Sequence, residues 1–294
     1  MNFKEWYIKK SLNLFSEFLD PHIHNFEDLK PDLLKANINL SLKEYLSMAL
    51  LTIVIVFLVE MPILAFILAL LPQISVPVAI VLSIILSFGV SGIVALLFYL
   101  NPSLRASSRG SKMDYGVPFA ATYLASISGS GLHPNEMFRI LSQFESYGEI
   151  SEEAKKINTK TELFGADITE ALASSAKESP SKRFSELLWG LITSIRSGTD
   201  LREYLHEKSR KLMREYQRDL EEYSDSLGTF LQIYLTMIIV GSIFTLVVTS
   251  IMSAFGLAGD MAGLITVLQF SVVFIFLPGV TIGFIWLLKT TYPG

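Results

Sequence analysis

Apolar positions recur along this chain in two patterns. Ile8, Leu12, Phe15 and Leu19 fall at helical spacing, with Trp6 and Tyr7 beside them, so residues 2–19 read as an amphipathic helix that Pro21 ends. A second short helix is expected after Pro31, through Leu33, Leu34 and Ile38. Elsewhere the periodicity vanishes because nearly every position is apolar. Tyr45 to Leu71, Val76 to Leu100, Leu227 to Phe255 and Leu264 to Leu288 each reach the ~20 residues needed to cross about 30 Å of hydrocarbon. Ser41, with Glu44 three residues on, forms a capping-box pattern just ahead of the first of these runs. The connections are short: Pro72 to Ser75 reads as a tight turn, and Gly256 to Gly263 carries only Asp260.

Between the two apolar pairs the helical rhythm returns, in a polar block from Asn101 to Ser226. Phe119, Tyr123, Leu124 and Ile127 share a face, and Gly129 and Gly131 stop that helix. Pro134 suits the first turn of the next, which carries Met137, Phe138, Leu141 and Phe144. A more polar helix is expected over Ser151 to Leu163. Asp167 with Glu170 resembles a capping box for the following helix, with Ile168, Ala171, Leu172 and Ala176. The clearest apolar stripe is Phe184, Leu187, Leu188, Leu191, Ile192 and Ile195, closed by Gly198. Asp200 and Glu203 then open a long helix that is expected to run straight into the third apolar stretch. No alternating strand pattern interrupts the series, and six or so helices can bury a small core of their own. The expected fold class is therefore an all-α membrane protein: four transmembrane helices as two hairpins flanking a cytoplasmic helical bundle. The divisions are residues 1–44 (amphipathic arm), 45–100 (first hairpin), 101–226 (bundle), 227–288 (second hairpin) and 289–294 (tail).

Charge orients this arrangement. Of 24 Lys and Arg residues, six precede the first span, 17 lie in the middle block and one, Lys289, follows the last span. Neither hairpin loop has any, so the positive-inside rule puts the block and both termini in the cytoplasm, with the chain multi-pass in the plasma membrane. The arm is then either a helix on the membrane surface or against a partner, or a helix packed on the protein's own middle block. Glu60 is the one ionisable residue deep in a span, and Pro62 nearby should kink that helix. It reads either as a hydrogen-bonding contact to a neighbouring helix or as a group in coupling or proton movement. Gly279 and Gly283 form a GxxxG pair beside Pro278, permitting close helix contact or a bend.

Chemistry is sparse. There is no Cys, hence no disulfide and no thiolate site. His22 and His24 lie in a Pro-flanked turn with no acid arrangement of a metal site, so no metal and no cofactor is expected. Ser128 to Gly131 lacks the surroundings of a nucleophile elbow and the Lys of a phosphate loop. No catalytic set emerges, and acids mixed evenly among the bases argue against nucleic acid. Glu145, Glu149, Glu152 and Glu153 make an acidic patch beside Lys155, Lys156 and Lys160; this is either a solvated face or a docking surface for a charged partner.

Two stretches carry a family likeness. YGVPFAATYLASISGSGLHPNEMFRIL, Tyr115 to Leu141, resembles the first half of the cytoplasmic domain of the type II secretion F family, its archaeal branch especially. SPSKRFSELLWGLITSIRSGTDLREYL, Ser179 to Leu205, is similar to the second half, and LLKANINLSLKEYLSM, Leu33 to Met48, to the lead-in to the first span. The resemblance implies a non-enzymatic platform for type IV pilus-like filaments (pili, the archaellum or tight-adherence secretion). Its partners would be a cytoplasmic hexameric secretion ATPase, pilin or pilin-like subunits and membrane lipid. Many relatives carry two copies of the helical domain and its hairpin, so this chain is expected to pair with itself or a paralogous chain. The expected ATPase contacts are Glu149, Glu152, Glu153, Arg196, Asp200 and Arg202, and Glu60 is the expected contact to a filament subunit. The rival readings are a small-solute or proton transporter using Glu60, and a membrane receptor or enzyme.

Overall fold

The computed structural model describes residues 3–71, 75–254 and 271–291, together with Gly263, Val267 and Phe270. Every regular element among the described residues is helical. They divide into two compact units, Met1–His206 and Glu207–Gly294.

The first unit opens with α1 (Phe3–Leu19), a 3-10 turn (Ile23–Phe26) and α2 (Leu29–Lys35). α2 begins before Pro31, not after it, and stops before Ile38. Asn37 takes the left-handed conformation at φ 55°, which no continuing helix tolerates. α1 packs along α3 (Leu42–Ala69), not on the polar block. Leu19, Leu29 and Leu46 form the core of that contact with Phe15, Ile23 and Phe26 around them, and the Tyr7 hydroxyl lies 2.9 Å from Thr52 Oγ1. The expected capping box is present: Ser41 Oγ accepts from Glu44 N at 3.2 Å and Ser41 N donates to Glu44 Oε2 at 2.7 Å.

α4 (Val76–Ser128) is one continuous helix of 53 residues. The expected boundary at Asn101 is not a break, because Pro102 and Pro118 each remove one backbone bond without ending the helix. Its apolar part pairs with α3 in antiparallel register: Tyr45 Oη donates to the Phe98 carbonyl at 2.7 Å, and Phe57 meets Phe88 edge-on at 5.2 Å. Ala79, Ser83, Ser87 and Ser91, four residues apart, form the buried stripe of α4. Small side chains there allow close approach of a neighbouring helix. Val54, Leu58, Val59, Ile63 and Phe66 of α3 and Val81, Ile85, Phe88 and Leu96 of α4 are exposed, as a lipid-facing pair would require.

The second part of α4 is the central rod of the bundle. Met113, Val117, Ala121 and Leu124 are fully buried. They lie within a core also built from α5 (Pro134–Leu141), α6 (Glu149–Glu162), α7 (Ile168–Glu178) and α8 (Lys182–Ser197). Gly148, at φ 54° and ψ −119°, makes the corner that opens α6 two residues earlier than the sequence suggests, and Gly198 ends α8 in the left-handed region. α7 is capped as expected by Asp167, but through Thr169 N at 2.8 Å and the Thr169 hydroxyl, without Glu170. α9 (Leu201–Ala254) starts in this unit, where Leu205 is fully buried.

The second unit holds the rest of α9 and α10 (Leu277–Thr291), preceded by a π-helical turn, Val272–Phe276. That wide turn sits just ahead of Pro278, which has no N–H and crowds the carbonyl four residues back. Tyr234 stacks on Phe284 at 4.4 Å and its hydroxyl lies 3.3 Å from Thr281 Oγ1. A Cβ on Gly279 or Gly283 would meet nothing within 4 Å, so the GxxxG pair makes no close contact among the described residues. Three described helices, α3, α4 and α9, are long and apolar enough to cross a membrane; residues 274–289 form a shorter apolar helix. Leu264 to Thr266, Leu268 and Gln269 of the expected fourth span, and most of both loop connections, lie outside the described residues.

Candidate functional site

The run Ala106-Ser107-Ser108-Arg109-Gly110-Ser111 on α4 is made of small residues around one large cation. Small residues let other elements come close: a Cβ on Gly110 would lie 3.0 Å from the Pro180 carbonyl oxygen. Arg109 is enclosed as a result, with 6% of its surface exposed. Its planar fork reaches three elements. Nε donates to Glu149 Oε2 and Nη2 to Glu153 Oε1, both at 2.6 Å, while Nη1 donates to the Lys35 carbonyl at the end of α2, 3.1 Å away. Glu153, 2% exposed, is satisfied further by Lys156 Nζ at 2.9 Å and by the α7 hydroxyl Ser175 at 2.7 Å.

Burial opposes the charge on Glu153, yet the bonds from Arg109, Lys156 and Ser175 outweigh it and hold the carboxyl below the usual carboxylate range. On Arg109 the same burial is outweighed by Glu153 and Glu149, which push its pKa above the ordinary arginine value. A buried ion pair with all donors and acceptors matched holds geometry well; removing one partner strands a charge. α2, α4, α6 and α7 are thus pinned at one point, a few turns beyond the apolar part of α4.

Beside this point lies an open groove of about 730 Å³ between α4 and α6. Its walls are Tyr115, Phe119 and Tyr147, and its rim carries Lys112, Glu149 and Glu152. Glu149 and Glu152 stand in the first turn of α6, where the helix dipole favours negative charge. A second polar corner joins α8 to α9. Arg196 and Asp200 are exposed there, Asp200 Oδ1 accepts from Arg202 N at 2.9 Å, and Arg202 packs against Gly129 at the far end of α4.

The six residues expected to dock a partner therefore stand at two corners. Glu149 touches α4 at Arg109 and Arg202 touches it at Gly129, which along an α-helix is about 30 Å. Glu153 departs from the expectation of exposure: it is a buried ion-pair partner, because Arg109 of α4 and Ser175 of α7 pack against it. Arg109 is the residue that the sequence pattern does not single out. The signal available was a lone arginine inside a run of Ala, Ser and Gly. Glu60 Oε2 is enclosed in the α3–α4 hairpin and makes no hydrogen bond among the described residues.

Comparison with known proteins bears on the same helices. Residues 120–249 match the family model of type II secretion system (T2SS), protein F. An uncharacterised protein of Methanocaldococcus jannaschii is 28% identical over 142 residues, 48% of this chain and 24% of that protein. Flagella accessory protein J of the same organism is 25% identical over 136 residues, 46% of this chain and 24% of the relative. Flagella accessory protein J of Methanococcus voltae is 26% identical over 170 residues, 58% of this chain and 30% of the relative. The matches thus span less than a third of those relatives' lengths. No solved structure matches.

Proposed function

We propose that the chain is the integral membrane platform of a type IV pilus-like filament assembly or secretion machine, a reading supported by the match of residues 120–249 to the type II secretion system protein F family. The observation that carries this reading is α4: a single helix contributes both a membrane-length apolar stretch and the central rod of the polar bundle. A displacement of the bundle is then delivered to the first hairpin through unbroken backbone, with Arg109 tying α2, α6 and α7 to the same rod. In this reading the bundle and both termini face the cytoplasm, α10 with the residues before it completes a second hairpin, and the partners are a hexameric secretion ATPase and pilin-like subunits. The chain supplies no chemistry; nucleotide hydrolysis belongs to the ATPase. A second platform chain, identical or paralogous, completes the assembly.

The groove between α4 and α6 is the ATPase-facing corner we favour, since it offers aromatic walls with a charged rim, and Arg196 and Asp200 mark the second corner. The test uses the purified full chain and a hexameric secretion ATPase from the same organism. Glu152→Lys on the rim and Asp200→Lys on the far corner should each weaken binding roughly tenfold, as like charges meet across a polar rim. Affinity unchanged in both variants would remove these corners from the interface.

Glu60 is assigned to contact with a membrane-embedded filament subunit. The enclosed Oε2 atom also suits the alternative, a small-solute or proton transporter. Glu60→Gln separates the two: filament assembly continues if the group is a hydrogen-bonding contact, and activity is lost if it must exchange a proton.

A further inference from the structure

Where the polar chain enters the first hairpin, a second groove of about 370 Å³ opens between the α2–α3 linker, the first turns of α3 and α4. Tyr45, Met48, Leu97 and Phe98 line it on the hairpin side, and Asn101 and Arg105 stand at its polar end. Its wall is fixed: Tyr45 donates to the Phe98 carbonyl at 2.7 Å and the two rings lie 6.2 Å apart. Leu97 of the groove is itself exposed, and Leu96 and Leu100 beside it on α4 and Val54 on α3 are exposed apolar residues of the hairpin.

The charges around it are unequal. Lys43 is bound to Asp20 at 2.5 Å, and Arg109 is held by Glu149 and Glu153. Arg105, one turn beyond Asn101, is exposed and makes no hydrogen bond or ion pair among the described residues. A guanidinium offers a rigid fork of donors matched to a phosphate, and one without a carboxylate at a bilayer boundary faces lipid headgroups. An apolar trough leading away from it into the hairpin's outer face suits an acyl chain.

We infer that this groove binds an anionic phospholipid, with the headgroup phosphate on Arg105 and Asn101 and one acyl chain along Tyr45, Met48, Leu97 and Phe98. The inference rests on the reading of α3 and the first part of α4 as membrane spans. Bound there, the lipid bridges linker, α3 and α4 at the level where the bundle joins the hairpin.

The test is a titration of the detergent-purified full chain with dioctanoyl phosphatidylglycerol, with dioctanoyl phosphatidylcholine and inorganic phosphate as separate arms. Wild type should prefer the phosphatidylglycerol, and Arg105→Gln should weaken it about fivefold, the worth of one cation near an anionic headgroup. Leu97→Trp, which fills the trough and leaves the charge, should also weaken binding. Lys112→Gln, outside the groove, should not. Equal affinity for the two lipids, an unaffected Arg105→Gln, or displacement of the lipid by millimolar phosphate would overturn the proposal. Carbonate extraction of membranes holding wild type and both groove variants tests the spanning reading independently: release of the wild-type chain would defeat that reading, whatever the lipid titration gives.

Discussion

Arg109 and Glu153 can be tested as a pair. Glu153→Ala strands a buried guanidinium with one carboxylate left, and should cost about 3 kcal/mol, read as a lower melting temperature of the purified chain. Because the folded-state pKa of Glu153 is depressed, its contribution is present above the ordinary carboxylate value of 4.5 and is lost as pH falls through the lower folded value. Melting of wild type should therefore drop as pH is lowered past 4.5, while Glu153→Gln starts lower and changes less over the same window. A melting curve for Glu153→Gln that tracks wild type at every pH would count against the pairing. Gly190 offers a second test. A Cβ there would lie 2.0 Å from the hydroxyl of Tyr204, which donates to the Leu187 carbonyl at 3.0 Å. Burial and the nearby Glu186 push the Tyr204 phenol up to about 12. Gly190→Ala should cost roughly 1–3 kcal/mol through overpacking, and should return one tyrosine to its ordinary titration near 10. Adding Tyr204→Leu to Gly190→Ala should recover much of the loss, since the three atoms nearest the added Cβ all belong to that side chain.

Single elements are largely legible in the sequence. The Ser41–Glu44 box, Pro134 at a helix start and Gly198 at a helix end act within one turn, so a linear pattern suffices to find them. Ser41→Ala should accordingly cost about 1 kcal/mol, seen as a lower melting temperature, with Ser41→Asp retaining most of it. Contacts between elements were not legible in the same way. Glu153 sits in a run of charges that reads as a solvated face, and only folding brings α4 and α7 against it. The same limit applies to α1, whose apolar stripe could serve membrane, partner or self; packing along α3 engages Phe15 and Leu19 and leaves Leu14 and Phe18 outward. At Asn101 the composition changes while the helix does not, because backbone hydrogen bonding is indifferent to whether side chains meet lipid or water. Pro102 removes one backbone bond there, and one missing bond inside a long helix is tolerated when flanking turns are packed.

For the whole molecule, orientation is the property to measure. The chain has no Cys, so single substitutions such as Ser146→Cys and Arg196→Cys give unambiguous labelling sites on the bundle. In intact cells a membrane-impermeant maleimide should leave both unmodified, and permeabilisation should expose both. Modification of either in sealed cells would reverse the proposed topology. α4 also sets a scale for any motion the bundle undergoes. Beyond Asn101 it continues to Ser128, about 40 Å of rod at 1.5 Å per residue. Pivoted near Pro102, such an arm turns a tilt of roughly 10° into about 7 Å of travel at its tip, on the order of one helical pitch. Run in reverse, the arm has the leverage of a crowbar: a tug of several ångströms at the Gly129 end arrives at the bilayer as a small, forceful rotation.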